Sequence, residues 1–140
     1  MDKNFEMAIK FVLKWEGGYS FDKNDPGGET KYGISKKSYP TLDIKNLTLE
    51  RAKEIYYQNY WLKANCDKLF FPFNIIMFDT SVNCGVSRAK KLWIGSLGWQ
   101  EFLLKRIEFY AGLKTAKYFL RGWVNRVIDL YNLIRNKETV

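Results

Sequence analysis

Apolar residues recur at helical spacing from the start of the chain: Phe5, Ala8, Ile9, Val12 and Leu13 fall on one face and predict an amphipathic helix. Glu16 follows Leu13 by three positions and Val12 by four, so it shares that face. Gly17 or Gly18 suits a left-handed cap that closes the helix. Thr48 predicts the N-cap of a helix whose Ala52, Ile55, Tyr56 and Asn59 lie together. Pro72 fits the first turn of the next, Phe73 to Cys84, which Gly85 ends; it is apolar almost all round and therefore belongs in the middle of the molecule. On it Asp79 and Asn83 are four apart on one side, so each needs a partner or a cleft. Ser87 predicts the cap of a short helix with Ala89, Leu92 and Trp93, and Gly95 to Gly98 breaks it. Two further helices follow, the last with a stripe of Leu120, Val124, Val127, Tyr131 and Ile134, and with Arg121, Arg126, Arg135 and Lys137 making it basic. Short strands are expected at Lys31 to Ser35 or Phe70 to Phe71 at most, giving a mostly α fold.

The segment after Glu16 has a different character. Five of the ten glycines lie between Gly17 and Gly33, and Asp25-Pro26-Gly27-Gly28 is turn chemistry. A loop this long inside a compact chain is uncommon unless it has a job. A glutamate at the end of a half-buried helix face, against the negative end of the helix dipole, has the surroundings of a proton donor. Asp25 supplies a second carboxylate, or else caps its own turn.

Composition narrows the chemistry. The 140 residues include no histidine and two cysteines, Cys66 and Cys84. Ser-His-Asp hydrolysis, Cys-His nucleophiles and the usual zinc sites are thereby excluded, leaving carboxylates as the acid-base groups near neutral pH, with neither metal nor cofactor expected. Cys84, on an apolar helix, reads as a small core residue. The length suits one domain with a real core, 46% of residues being hydrophobic. A net charge of +8 favours an anionic partner, yet the lysines and arginines are spread along the chain, with pairs only at Lys36-Lys37 and Lys90-Lys91, unlike a nucleic-acid arm. No apolar run is long enough to span a membrane, and the N-terminus lacks the pattern of a secretory signal.

The motif Glu16-Gly17-Gly18-Tyr19, followed by Asn24-Asp25-Pro26-Gly27-Gly28-Glu29-Thr30-Lys31-Tyr32-Gly33-Ile34-Ser35, resembles the signature of glycoside hydrolase family 108, the phage-type and bacterial N-acetylmuramidases. Tyr60-Trp61, the stretch from Phe78 to Ala89 and the stretch from Phe119 to Val127 are similar to further segments of that family, so the resemblance covers nearly the whole chain. It implies a lysozyme-like helical domain with a glycine-rich active-site loop and a minimal β element. Residues 1–90 would be the catalytic region, and 91–140 a helical segment of the kind described as peptidoglycan-binding, the two packed as one unit. The resemblance further implies that Glu16 is the catalytic acid. Asp25 would serve as base or stabiliser, and Thr30 would hold the attacking water, although the aspartate-to-threonine spacing is one residue shorter than in phage lysozymes. Tyr19, Tyr32 and Trp61 are candidates to stack on sugars, and Asn83 to contact substrate.

The expected protein is a monomeric peptidoglycan hydrolase, a phage or prophage endolysin made in the bacterial cytoplasm, passed to the wall by a separate holin, without nucleic-acid binding or stable membrane insertion. A secretion-associated wall-remodelling muramidase, a lytic transglycosylase, a non-catalytic peptidoglycan-binding module and a basic nucleic-acid binder are the alternatives.

Overall fold

Helix α3 (Phe73–Cys84) is the axis about which the other elements gather, and all of Asn74 to Ser81 is buried. The computed structural model describes residues 2–24 and 28–138. Among them, six α-helices and one small sheet follow in order: α1 (Lys3–Glu16), β1 (Ser20–Phe21), β2 (Glu29–Lys31), β3 (Ile34–Ser35), α2 (Leu49–Tyr56), α3, α4 (Val86–Trp93), α5 (Trp99–Ala111) and α6 (Ala116–Glu138). A π-helical turn, Tyr57–Leu62, extends α2, and a short 3-10 turn, Cys66–Lys68, precedes α3. The fold is mostly α, as the apolar spacing predicts.

Local chemistry sets the element ends. The Asp2 carboxylate accepts from the Asn4 N–H at 2.8 Å to start α1, and the Thr48 hydroxyl accepts from the Arg51 N–H at 3.1 Å to start α2. Gly17, at φ 77, closes α1 with its N–H on the Leu13 carbonyl. Ser87 lies inside α4 and is not its cap; the N-cap is Gly85, two residues earlier, which at φ 93 turns the chain straight out of α3. The sheet is antiparallel in the order β1-β2-β3, pairing Ser20 with Thr30 and Thr30 with Ser35. Strand pairing occurs in the glycine-rich segment and not at Phe70 and Phe71, which lie in the connection into α3 with Phe70 88% exposed.

One hydrophobic core runs through the molecule, from Phe5 and Val12 on α1 to Val127, Leu130 and Ile134 on α6. At its centre, Phe5, Trp61 and Phe78 meet edge to face at centroid separations of 5.4 to 5.6 Å. Trp61 is 0% exposed, which corrects its expected part in stacking on sugars: the π-helical turn directs the indole inward, where it closes the floor of the core. Cys66 is also fully buried, and burial pushes its thiol up to about 12, so it serves as a packing residue. No helix of the described residues is long and apolar enough to cross a membrane.

Candidate active site

Glu16 stands at the last residue of α1, immediately before the chain turns at Gly17 towards the sheet. Its side chain is 25% exposed, and Oε1 accepts a 2.9 Å hydrogen bond from Nη1 of Arg126, 110 residues further on. The half-buried helix face expected around Glu16 therefore needs correction: the carboxyl faces a guanidinium that no local pattern announces. Arg126, placed by the sequence on the basic flank of the last helix, turns inward and is itself only 6% exposed.

That guanidinium is fixed from behind. Its Nη2 and Nε donate to Asp79 Oδ1 at 2.8 and 3.1 Å, and Nη1 of Arg106 lies 2.8 Å from Asp79 Oδ2. Asp79 and Arg106 are completely enclosed. Burial opposes ionisation of Asp79, but the two guanidiniums outweigh it and hold its carboxyl below the ordinary value. Burial likewise works against the charge on Arg126, and Asp79 and then Glu16 overcome it, raising the arginine above its usual value. Arg106 continues the network, donating from Nη1 to the Thr80 hydroxyl at 3.0 Å and from Nε to the Tyr110 hydroxyl at 2.8 Å. The need of Asp79 for a partner was legible from its place on an apolar helix; the identity of both partners was not. Helix α6 is also tied to the end of α1 at the surface, where Asp129 accepts from the Trp15 indole at 2.8 Å and pairs with Lys14.

The glycine-rich segment closes the other side. Gly33 has φ 79, and a Cβ there would sit 2.8 Å from Cβ and 2.9 Å from Cγ of Glu16, and against the Tyr56 hydroxyl. The absent side chain is what lets the turn between β2 and β3 lie directly on Glu16. Tyr56, buried on α2, donates from its hydroxyl to the Tyr32 carbonyl at 2.6 Å, pinning the same turn. Burial first, and then the nearby charge of Glu16, keep that phenol protonated far above its ordinary range.

The remaining sequence candidates divide. Thr30, on β2, is half-buried and pairs hydroxyl to hydroxyl with Ser20 at 2.7 Å, which leaves its oxygen capacity for a water. Tyr19 keeps 45% of its surface exposed while its hydroxyl donates to Glu29, a carboxylate the motif analysis passed over; that bond is the main cause raising the phenol pKa. Tyr32 is half-buried at φ 53, with the Lys31 ammonium 5.5 Å above its ring. The side-chain oxygen of Asn83 accepts from the Tyr110 hydroxyl, placing Asn83 at the end of the Arg106 network. Cys84 contacts the same hydroxyl at 3.6 Å, and burial raises its thiol pKa. Asp25 lies outside the described residues.

The arrangement offers one partly exposed carboxyl, one oxygen of which is held by a buried cation, beside an aromatic and hydroxyl-bearing loop. Residues 9–85 match the family glycosyl hydrolase 108, a span that includes Glu16, the glycine-rich loop and all of α3. The solved structure of SagA from Brucella abortus is similar, with a TM-score of 0.76 and 26% sequence identity over 94% of this chain and 94% of that one. No curated protein matches.

Asp79→Asn removes the charge that two buried guanidiniums face and is expected to destabilise the fold by about 3–5 kcal/mol. Because the folded-state carboxyl ionises below the unfolded value of about 3.9, its contribution is complete above that pH and is lost as the pH falls through the folded value. Urea titrations should therefore show a constant gap between wild type and variant at neutral pH that narrows only on acidification below about pH 4. Gly33→Ala should abolish most activity through the collision with Glu16, whereas Gly95→Ala, equally left-handed at φ 81 but with its nearest neighbour 3.8 Å away, should lose about 1 kcal/mol of stability and stay active. Parallel activity and melting measurements on the two variants separate collision from backbone strain.

Proposed function

The chain belongs to the glycosyl hydrolase 108 family, and from that premise we propose that it is an N-acetylmuramidase hydrolysing the bond between N-acetylmuramic acid and N-acetylglucosamine. It is a glycoside hydrolase of the lysozyme type, and peptidoglycan is its substrate class. The observation that carries the finer reading is the division of labour on Glu16. Oε1 is held by Arg126, and Oε2 has no hydrogen bond among the described residues.

In this mechanism Oε2, the oxygen that Arg126 does not hold, passes a proton to the bridging glycosidic oxygen as the bond breaks. The negative charge that develops on Glu16 is met at once by the Arg126 guanidinium, whose position Asp79 fixes beforehand, so no reorganisation is needed during the step. Asp25 acts from the loop as base towards water or as a stabiliser of the oxocarbenium-like sugar, and the Thr30 hydroxyl holds the water. Tyr19 and Tyr32 contact sugar faces, and the Asn83 amide nitrogen is left for a substrate oxygen. Trp61 has no part in binding. Segment 91–140 contributes Arg126 and Arg106, and its exposed Tyr118 and Phe119 are the surface on which it would meet glycan. The biological setting we favour is a phage or prophage endolysin, made in the cytoplasm, reaching the wall through a holin and acting as a monomer; a bacterial wall remodeller is the alternative.

Glu16→Gln is expected to fold, to keep sedimenting with sacculi and to lose about 100- to 10,000-fold in turnover. Wild-type digests should contain new reducing ends by mass spectrometry. Anhydro-sugar ends would replace hydrolysis by transglycosylation, and full activity in the variant would remove Glu16 from the mechanism.

A further inference from the structure

A groove of about 1090 Å3 opens between the π-helical turn, α4 and α5. Lys63, Arg88, Lys90 and Lys91 line it together with Tyr39 and Tyr60, and no carboxylate is among the described residues that line it. Among the described residues none of the four cations has an acidic group within ion-pair distance. Arg88 is instead steadied with its guanidinium 4.7 Å above the Phe109 ring, and Lys91, three positions on, stands beside it on α4. Like charges that merely keep a surface hydrated spread over convex ground. Four that converge on one concavity repel each other, and the low-dielectric walls focus their field on whatever enters.

Two packed rings lie between the groove and the Glu16 site. Tyr60 in its wall lies 5.6 Å, centroid to centroid, from the buried Tyr56, whose hydroxyl and the Glu16 side chain both border the space beside Gly33. Burial and the neighbouring Tyr39 hydroxyl raise the Tyr60 phenol, with the charge of Glu16 a smaller contribution. A glycan strand laid against Glu16 carries a carboxylate-rich peptide on each N-acetylmuramic acid, and that branch has to leave the sugar track sideways. A cavity slightly larger than the range for small-ligand sites, about 300–1000 Å3, is wide enough for a short peptide.

We infer that this groove receives the anionic peptide stems of the strand being cleaved, with Lys63, Arg88, Lys90 and Lys91 meeting stem carboxylates while Tyr39 and Tyr60 line the exit from the sugar track. The assignment rests on the muramidase reading and deepens it: the substrate is the stem-bearing strand, in preference to bare glycan.

The test compares kcat/KM on two substrates prepared from one wall from which acid treatment has removed phosphate polymers: sacculi with intact stems, and the same glycan freed of stems by an amidase. The wild-type protein should prefer the stem-bearing substrate, and the preference should shrink as ionic strength rises. Lys63→Gln, Arg88→Gln and Lys91→Gln combined, all at exposed positions, should lower that preference about tenfold, through KM and not kcat. A charge-matched control, Lys3→Gln with Lys114→Gln and Arg135→Gln, should preserve it. An undiminished preference in the groove variant, or an equal loss in the control, overturns the assignment. So does an effect confined to walls that retain phosphate. Cleavage of neither substrate by the wild type overturns instead the muramidase reading beneath it.

Discussion

A single enclosed carboxylate, Asp79, decides how this molecule is put together. Two guanidiniums converge on it from helices that come much later in the chain, Arg106 from α5 and Arg126 from α6. A buried ion pair of this kind is weak evidence of stability in itself, because removing three groups from water costs about what their attraction returns. Its effect is on geometry: any arrangement of α5 and α6 that misplaces either arginine leaves a charge unpaired in the core. The network thereby selects one mutual placement of α3, α5 and α6.

The candidate active site is the open end of that network. Arg126 holds Asp79 with Nε and Nη2 and reaches Glu16 with Nη1, so the position of Glu16 is set from the interior outwards. Helix α1 supplies Glu16, and Gly33 lets the glycine-rich turn lie against its methylene groups. Tyr56 fastens that turn through the Tyr32 carbonyl. Each of these contacts fixes a rotamer or a backbone segment before any substrate arrives, which is the condition under which a charged group lowers a barrier without first reorganising.

How much of this could be read along the chain differs from residue to residue. Local rules sufficed where the physics is local: Thr48 caps α2, α3 runs from Phe73 to Cys84 as its bounding Pro72 and Gly85 indicate, and the glycine-rich motif marks the segment that folds against Glu16. Trp61 went the other way. An aromatic residue is equally suited to a core or to a sugar face, and only the π-helical turn, which rotates it towards Phe5 and Phe78, settles which. Ser87 failed as a cap because Gly85 redirected the chain two residues earlier.

The sequence by itself determined the helices, their apolar faces, the turn chemistry after Glu16 and, through the lack of histidine, the exclusion of imidazole chemistry. These follow from hydrogen bonds, dihedral preferences and periodicities that span a few residues. Tertiary structure alone decided that Arg126 meets Glu16, that Arg106 and Arg126 share Asp79, and that lysines separated along the chain gather around one groove. Those pairings depend on how helices cross, and an arginine on an amphipathic helix carries the same local signature whether it faces water or a buried aspartate.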